Sequence, residues 1–209
     1  TPLNAIVGFS DLLKDIDAFS PEEVQQFVET INTNCTLLLA LINDILDLSR
    51  IESGTMDFQF SSFNLTYIMQ QVYDSQRLSM PQGVELCMEI PEDSGKYVIT
   101  DSVRLKQVVN NLINNAKKFT VKGNITFGYE IHDPGYTTIF VQDTGAGISE
   151  QDQQRIFERF YKADSFTQGA GLGLSICQTI VERLRGTIKV TSRLGEGTRF
   201  EVRVPDTNE

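Results

Sequence analysis

One long apolar stripe restricts this chain more than any other feature. Phe27, Ile31, Leu38, Leu41, Ile45 and Leu48 recur at near-heptad spacing, with Asn34 interrupting them. The stripe begins just after Ser20-Pro21-Glu22-Glu23, a helix start in which Ser20 caps, Pro21 takes the first helical position and Glu23 completes a capping box. A helix from there to about Ile51 is long for an isolated globular helix. Before it, Ile6, Phe9, Leu12 and Leu13 predict a first helix that starts before or at Thr1 and runs to about Asp17. Two helices alone cannot bury such a stripe. Either two hairpins pair as a dimeric four-helix bundle, or the long helix packs on its own domain.

Glu52-Ser53-Gly54-Thr55 breaks the helical pattern, so the expected division is a hairpin over 1–52 and a second domain over 57–209. The second domain reads as mixed α/β. Phe58, Phe60 and Phe63 suggest an opening strand, and Leu65 to about Ser79 a helix. Strands are expected at Val84–Ile90, Tyr97–Thr100, Ile125–Ile131, Thr138–Gln142, Thr187–Ser192 and Thr198–Val204. Helices are expected over Asp101–Phe119 and at about 149–157 and 172–185. This order implies an α+β chain: a helical hairpin, then an α/β sandwich whose mixed sheet carries helices on one face.

Three segments carry candidate chemistry. In the helix over 101–119, Leu105, Val108, Val109, Leu112 and Ala116 form the inward stripe. Arg104, Asn111, Asn115 and Lys118 align on another side. Asparagine disfavours helix interiors. A neutral amide oxygen suits Mg²⁺ and an ammonium suits a phosphate, while a merely solvated polar face is the competing reading. Next, Asp143-Thr144-Gly145-Ala146-Gly147-Ile148 follows a strand, so a carboxylate at the strand end faces a tight, glycine-permitted turn. That carboxylate can accept from an adenine amino group; alone, the segment is also an ordinary turn. Third, Gly169-Ala170-Gly171-Leu172-Gly173-Leu174 opens a helix and offers backbone N–H groups to phosphate. It is neither a Walker loop nor a dinucleotide fingerprint, and a flexible loop is its plain alternative. Ile156-Phe157-Glu158-Arg159-Phe160-Tyr161-Lys162 lies between the last two segments, and Asp164–Gln168 reads as a mobile lid.

In this order the segments closely resemble the N, G1, F and G2 boxes of sensor histidine kinases. Asp101-x-x-Arg104-x-x-Gln107, then Asn111-Leu112-Ile113-Asn114-Asn115-Ala116-x-Lys118-Phe119-Thr120, matches the family's N box, and Gly195-x-Gly197-Thr198-x-Phe200 its last motif. Thr1-Pro2-Leu3-Asn4 resembles the tail of its H box, and the likeness runs to about Val204. The resemblance implies a Bergerat-type ATP sandwich behind a dimerisation and phosphotransfer hairpin, a homodimer through residues 1–52, ATP and Mg²⁺ as cofactors, and a response-regulator receiver domain as partner. It implies that Asn115 ligates Mg²⁺ with Asn111 in support, that Lys118 contacts phosphate, that Asp143 reads adenine, and that Lys162 takes the place of a basic residue usual at that point of the ATP site. Phe119, Gly145, Gly147, Ile148, Gly169, Gly171, Leu172, Gly173, Leu174 and Thr198 complete the implied ATP site.

The family's acceptor histidine would precede Thr1 by four residues, so the chain as given is expected not to autophosphorylate. His132, its one histidine, sits beside Asp133-Pro134-Gly135 and reads as an exposed turn residue. Thr1 matches a position that helps dephosphorylate the regulator. Two positions depart from the pattern: Ala170 stands where a hydroxyl is common, and Lys162 where arginine is, which forfeits a bidentate contact. The rival readings are an ATPase of the same superfamily and a dimerising module that binds nucleotide without transferring phosphate.

Composition narrows the setting. Net charge is −10, and residues 1–52 hold two basic against nine acidic residues. Nucleic-acid binding, which needs basic patches, is not expected. No apolar run approaches the roughly 18–20 residues of a bilayer span, so no direct membrane contact is expected of this segment. Cys35, Cys87 and Cys177 have no metal spacing and read as buried free thiols. The reduced cytoplasm fits, as the cytoplasmic part of a membrane-anchored sensor.

Overall fold

The computed structural model describes residues 2–92, 95–163 and 170–207. They form two compact units, the first of residues up to Thr55 together with Ala170, the second of the remaining described residues from Met56 onward.

The first unit is a helical hairpin. Helix α1 spans Pro2–Leu12, and a 3₁₀ segment continues over Leu13–Ala18 with Asp15 outside helical geometry. The expected single helix to Asp17 is therefore split. Local spacing shows where apolar faces recur but not where the backbone tightens. Helix α2 spans Pro21–Glu52. Its start is the anticipated capping box: Ser20 Oγ accepts from Glu23 N at 3.3 Å, and Glu23 Oε2 accepts from Ser20 N at 2.8 Å. Phe27 meets Phe9 at 5.5 Å and Phe19 edge-on at 5.0 Å between ring centroids. Neither helix buries a single residue, and Leu3, Val7, Leu39, Ile42, Ile45 and Leu46 are exposed. By length and composition alone, α2 is apolar enough to cross a membrane. The sequence reading missed this because Asn32, Asn34, Asn43, Asp44 and Asp47 interrupt every continuous run while leaving the average high.

The second unit holds two sheets. Strands β1 (Ser61–Asn64) and β3 (Tyr97–Thr100) pair antiparallel. Phe58 and Phe60 precede β1 rather than joining it, and they stack with ring centroids 6.3 Å apart. The main sheet has the order β2 (Val84–Glu89), β4 (Gly123–Glu130), β5 (Tyr136–Asp143), β7 (Gly197–Pro205), β6 (Thr187–Arg193). It is mixed, because β2 runs parallel to β4 while the other pairs are antiparallel. Helices α3 (Leu65–Gln76), α4 (Ser102–Phe119) and α6 (Gly173–Arg183) supply the other layer.

Helix α4 organises this core. Leu105, Val108, Val109, Leu112, Ile113 and Ala116 are buried, which is the anticipated stripe with Ile113 added. The helix packs on β4, β5 and α6, whose buried residues include Ile125, Phe127 and Tyr129, Ile139 and Val141, and Ile176, Cys177 and Ile180. Asp101 starts α4: its Oδ1 accepts from Val103 N and Arg104 N at 3.0 Å, and its Oδ2 from Gln59 N at 2.8 Å. Only Cys177 is buried. Cys35 and Cys87 are partly exposed, which corrects the expectation of three buried thiols. Cys35 lies on a hairpin with no buried interior, and Cys87 on the edge strand β2. The helix expected at about 149–157 shortens to α5, Glu150–Gln153, because successive tight turns replace it from Arg155 onward.

Candidate functional site

The site grows from the C-terminal end of β5. Asp143 closes that strand opposite Thr198 on β7 and is 6% exposed. Its Oδ1 accepts from Gly145 N at 2.8 Å. Burial pushes this carboxyl above its ordinary range, and backbone N–H groups of Gly145 and Thr198 pull partly the other way. An acceptor held in a dry, shaped place can read a donor edge, since an unpaired partner there is costly.

The turn after Asp143 is clamped from two sides. Ala146 N donates to Phe119 O at 3.1 Å, tying the turn to the end of α4. Gly195 N donates to Ala146 O at 2.8 Å, tying it to the β6–β7 turn. Ser192 joins the same clamp: its Oγ accepts from Ile148 N at 2.8 Å, donates to Gly197 O at 2.7 Å and lies 2.9 Å from the Thr198 hydroxyl. Gln153 Nε2 donates to both Ile148 O and Ser192 O. Gly147 has φ +70°, and a Cβ there would stand 2.0 Å from Arg193 O, so the turn requires glycine.

Helix α4 carries the polar face. Asn111 and Asn115 are half-buried, Lys118 is exposed, and Phe119 is exposed at the helix end. Asn111 Nδ2 donates to Gly173 O at 3.5 Å, which joins this face to the first turn of α6. Leu172 is buried and Leu174 half-buried, so this segment points apolar side chains inward while its backbone passes the asparagines. Gly171, φ +72°, accepts from Phe160 N at 2.9 Å. A Cβ on Gly171 would approach Tyr161 O to 2.7 Å. Between the two glycine segments, Ile156 is buried and Phe157 meets Phe200 edge-on at 6.4 Å. Lys162 is exposed. Thr1 and Gly169 lie outside the described residues.

The fold thus joins Asp143, Gly145, Gly147, Ile148 and Thr198 through one hydrogen-bonded turn. It joins Asn111 to Gly173 directly, and Gly171 to the segment ending in Lys162. Sequence reasoning missed Ser192 and the Phe119 carbonyl. Ser192 lies 44 residues from Ile148 and carries no local pattern, while a backbone carbonyl is invisible in any sequence. His132 is exposed beyond β4, with its Nε2 2.9 Å from Glu130 Oε2.

Comparison with known proteins agrees with this geometry. Residues 1–54 match the family described as His Kinase A (phospho-acceptor) domain. Residues 100–208 match Histidine kinase-, DNA gyrase B-, and HSP90-like ATPase. Among curated relatives, the autoinducer 2 sensor kinase/phosphatase LuxQ of Vibrio cholerae is 39% identical over 98% of this chain and 25% of its own length. The signal transduction histidine-protein kinase BarA of Escherichia coli is 35% identical over 96% of this chain and 22% of its own. The chain thus spans about a quarter or less of the curated relatives it matches. Among solved structures, full-length ShkA in complex with AMPPNP superposes with a TM-score of 0.75 at 28% identity, over 98% of this chain and 43% of that one. Histidine kinase ThkA in complex with the response regulator TrrA gives 0.76 at 27% identity, over 99% and 58%. Two family matches in the expected order, on a fold with the expected mixed sheet, place this chain among the sensor histidine kinases as a catalytic core.

Proposed function

We propose that this chain binds ATP with Mg²⁺ and delivers the γ-phosphoryl group to a histidine, from which it passes to an aspartate on a response-regulator receiver domain. Residues 1–52 are the dimerising and phosphotransfer part, and residues 57–209 bind the nucleotide. The observation that carries this reading is Asp143: a buried carboxylate at a strand end, fixed by Gly145 N–H, on a turn bonded to the end of the asparagine-bearing helix.

In this reading Asp143 accepts from the adenine amino group, and the clamped turn through Ile148 gives the base its slot. Thr198 stands opposite Asp143. Phe119, Leu172 and Leu174 offer apolar contact, and the turns at Gly145, Gly147 and Gly171, with Gly173 at the start of α6, leave backbone room. Lys118 and Lys162 meet the phosphates. Among the described residues no group of three or more His, Cys, Asp or Glu gathers to hold a metal. Asn115, with Asn111 in support, suits an ion that arrives with the triphosphate, because neutral amide oxygens add ligands without cancelling its charge. Bound there, Mg²⁺ would supply charge neutralisation on the phosphates. The protein's share is positioning and fixed dipoles, which suffices for a loose phosphoryl transfer.

The hairpin supports a homodimer by its lack of an interior. Its exposed leucines and isoleucines would each gain about 1.5–3 kcal/mol on full burial. AMPPNP bound by ShkA and the regulator bound by ThkA support nucleotide and receiver as partners. Three free cysteines suit the cytoplasm.

The test is the natural protein carried two helical turns upstream of Thr1 and incubated with γ-labelled ATP and Mg²⁺. The expected product holds acid-labile, alkali-stable phosphate, and His132→Gln leaves labelling unchanged. Bound ATP without label would overturn transfer and leave a nucleotide-binding module or an ATPase.

A further inference from the structure

The segment between the glycine turns contains a grip on one side chain that nucleotide binding does not by itself require. Tyr161 Oη donates to Asp152 Oδ1 at 2.5 Å. Asp152 lies in α5, where its Oδ2 accepts from Ser149 Oγ at 2.6 Å and its backbone N donates to the same hydroxyl at 3.1 Å. The carboxylate is therefore held before it holds the tyrosine. Over the Tyr161 ring, the Arg155 guanidinium lies 4.3 Å from the centroid, and it is itself anchored to Glu158 at 3.1 Å. A ring fixed at its hydroxyl and its face keeps one orientation.

The backbone beside it is equally constrained. Phe160 has φ 63°, a left-handed conformation rare for a residue with a side chain, and that side chain is 66% exposed. Packing of the phenyl ring does not impose this geometry. The bond from Phe160 N to Gly171 O is made in it, and it ties the residue next to Tyr161 to the glycine turn ahead of α6. That turn reaches Gly173, whose carbonyl takes the Asn111 amide. Lys162 follows Tyr161 directly. A lysine carries its charge on a flexible four-carbon stem, without the preorganised fork of arginine. Where lysine replaces arginine, aim depends more on how firmly its backbone is set.

We propose that Tyr161 is a positioning residue: its bond to Asp152, with Arg155 on its ring, sets Lys162 toward the γ-phosphate and so makes the site prefer ATP to ADP. This rests on the reading of Lys162 as a phosphate-binding cation. The hydroxyl is the informative atom, because a phenylalanine would keep the ring and its cation contact.

The experiment titrates the full chain with ATP and with ADP, each with Mg²⁺, by calorimetry, and records melting temperature. The unaltered chain is expected to prefer ATP by about tenfold, the size of one charge-assisted contact. In Tyr161→Phe that ratio falls toward one, with ADP affinity and melting temperature unchanged. Asp152→Ala and Lys162→Met lower the ratio alike, and the Tyr161→Phe/Lys162→Met double variant loses no more than either alone. Two outcomes overturn the proposal while sparing the nucleotide site: equal ATP and ADP affinity in the unaltered chain, or equal loss of both nucleotides with lowered melting in Tyr161→Phe. A collapsed ratio in Lys162→Met beside an intact one in Tyr161→Phe rejects the positioning role and keeps the lysine contact. An intact ratio in Lys162→Met removes the lysine reading itself, and the proposal with it.

Discussion

Helices α2 and α4 use apolar residues to opposite ends. The longer one, Pro21–Glu52, buries nothing within the chain, whereas Ser102–Phe119 buries six side chains. The hairpin has a start signal, a stripe and aromatic contacts at its closed end, but no interior. The second unit has an interior, built around α4. Burial within the chain supports the second, while the helices of the first bury no residue.

The strongest challenge to the contrast is Asp143→Asn. Nucleotide affinity should fall beyond about 100-fold by calorimetry, since a buried acceptor becomes partly a donor. The fold should not suffer. Folding raises this carboxyl above its ordinary range, so its share of stability is present below the unfolded value and lost as pH rises through the folded one. The variant should therefore melt at or above the parent at neutral pH, with the gap closing in acid. Lower melting at neutral pH would mean that Asp143 also serves the core.

Leu112→Ala should come next. It empties a fully buried position and should cost about 2–5 kcal/mol in the nucleotide unit. Circular dichroism should show the hairpin helices keeping their own transition. Loss of both together would show one cooperative body. Ile42→Ser with Leu46→Ser should lower the dimer constant by about 1.5–3 kcal/mol per side chain, read by light scattering, while ATP affinity stays. Unchanged association would place the pairing face elsewhere. Asn115→Ala should weaken ATP about tenfold with Mg²⁺ and hardly at all with EDTA. Equal loss in both would make Asn115 a direct nucleotide contact. Ser20→Ala should be mildest, near 1 kcal/mol and confined to the hairpin.

The parts of this protein that could be read without coordinates are those coded between near neighbours. The Ser20–Glu23 box spans three residues, the α4 stripe repeats every three or four, and the glycine segments are short and ordered along the chain. The helical hairpin and the mixed sheet followed from these. Where neighbours alone were consulted, the errors were also local: a first helix drawn through the 3₁₀ segment after Leu12, an α5 drawn too long, and Phe58 and Phe60 drawn into a strand.

Other features depend on groups brought together from far along the chain. Ser192 clamps Ile148 across 44 residues, and Asn111 meets Gly173 across 62. Phe160 adopts its left-handed turn where its N–H meets the Gly171 carbonyl. The exposure of Cys35 and Cys87 follows from an uncovered hairpin and a sheet edge, not from their neighbours. Periodicity records which face is apolar. What that face, or a lone serine, finally touches is a property of closure between distant segments, whose entropy is paid once and whose contacts no short window of sequence contains.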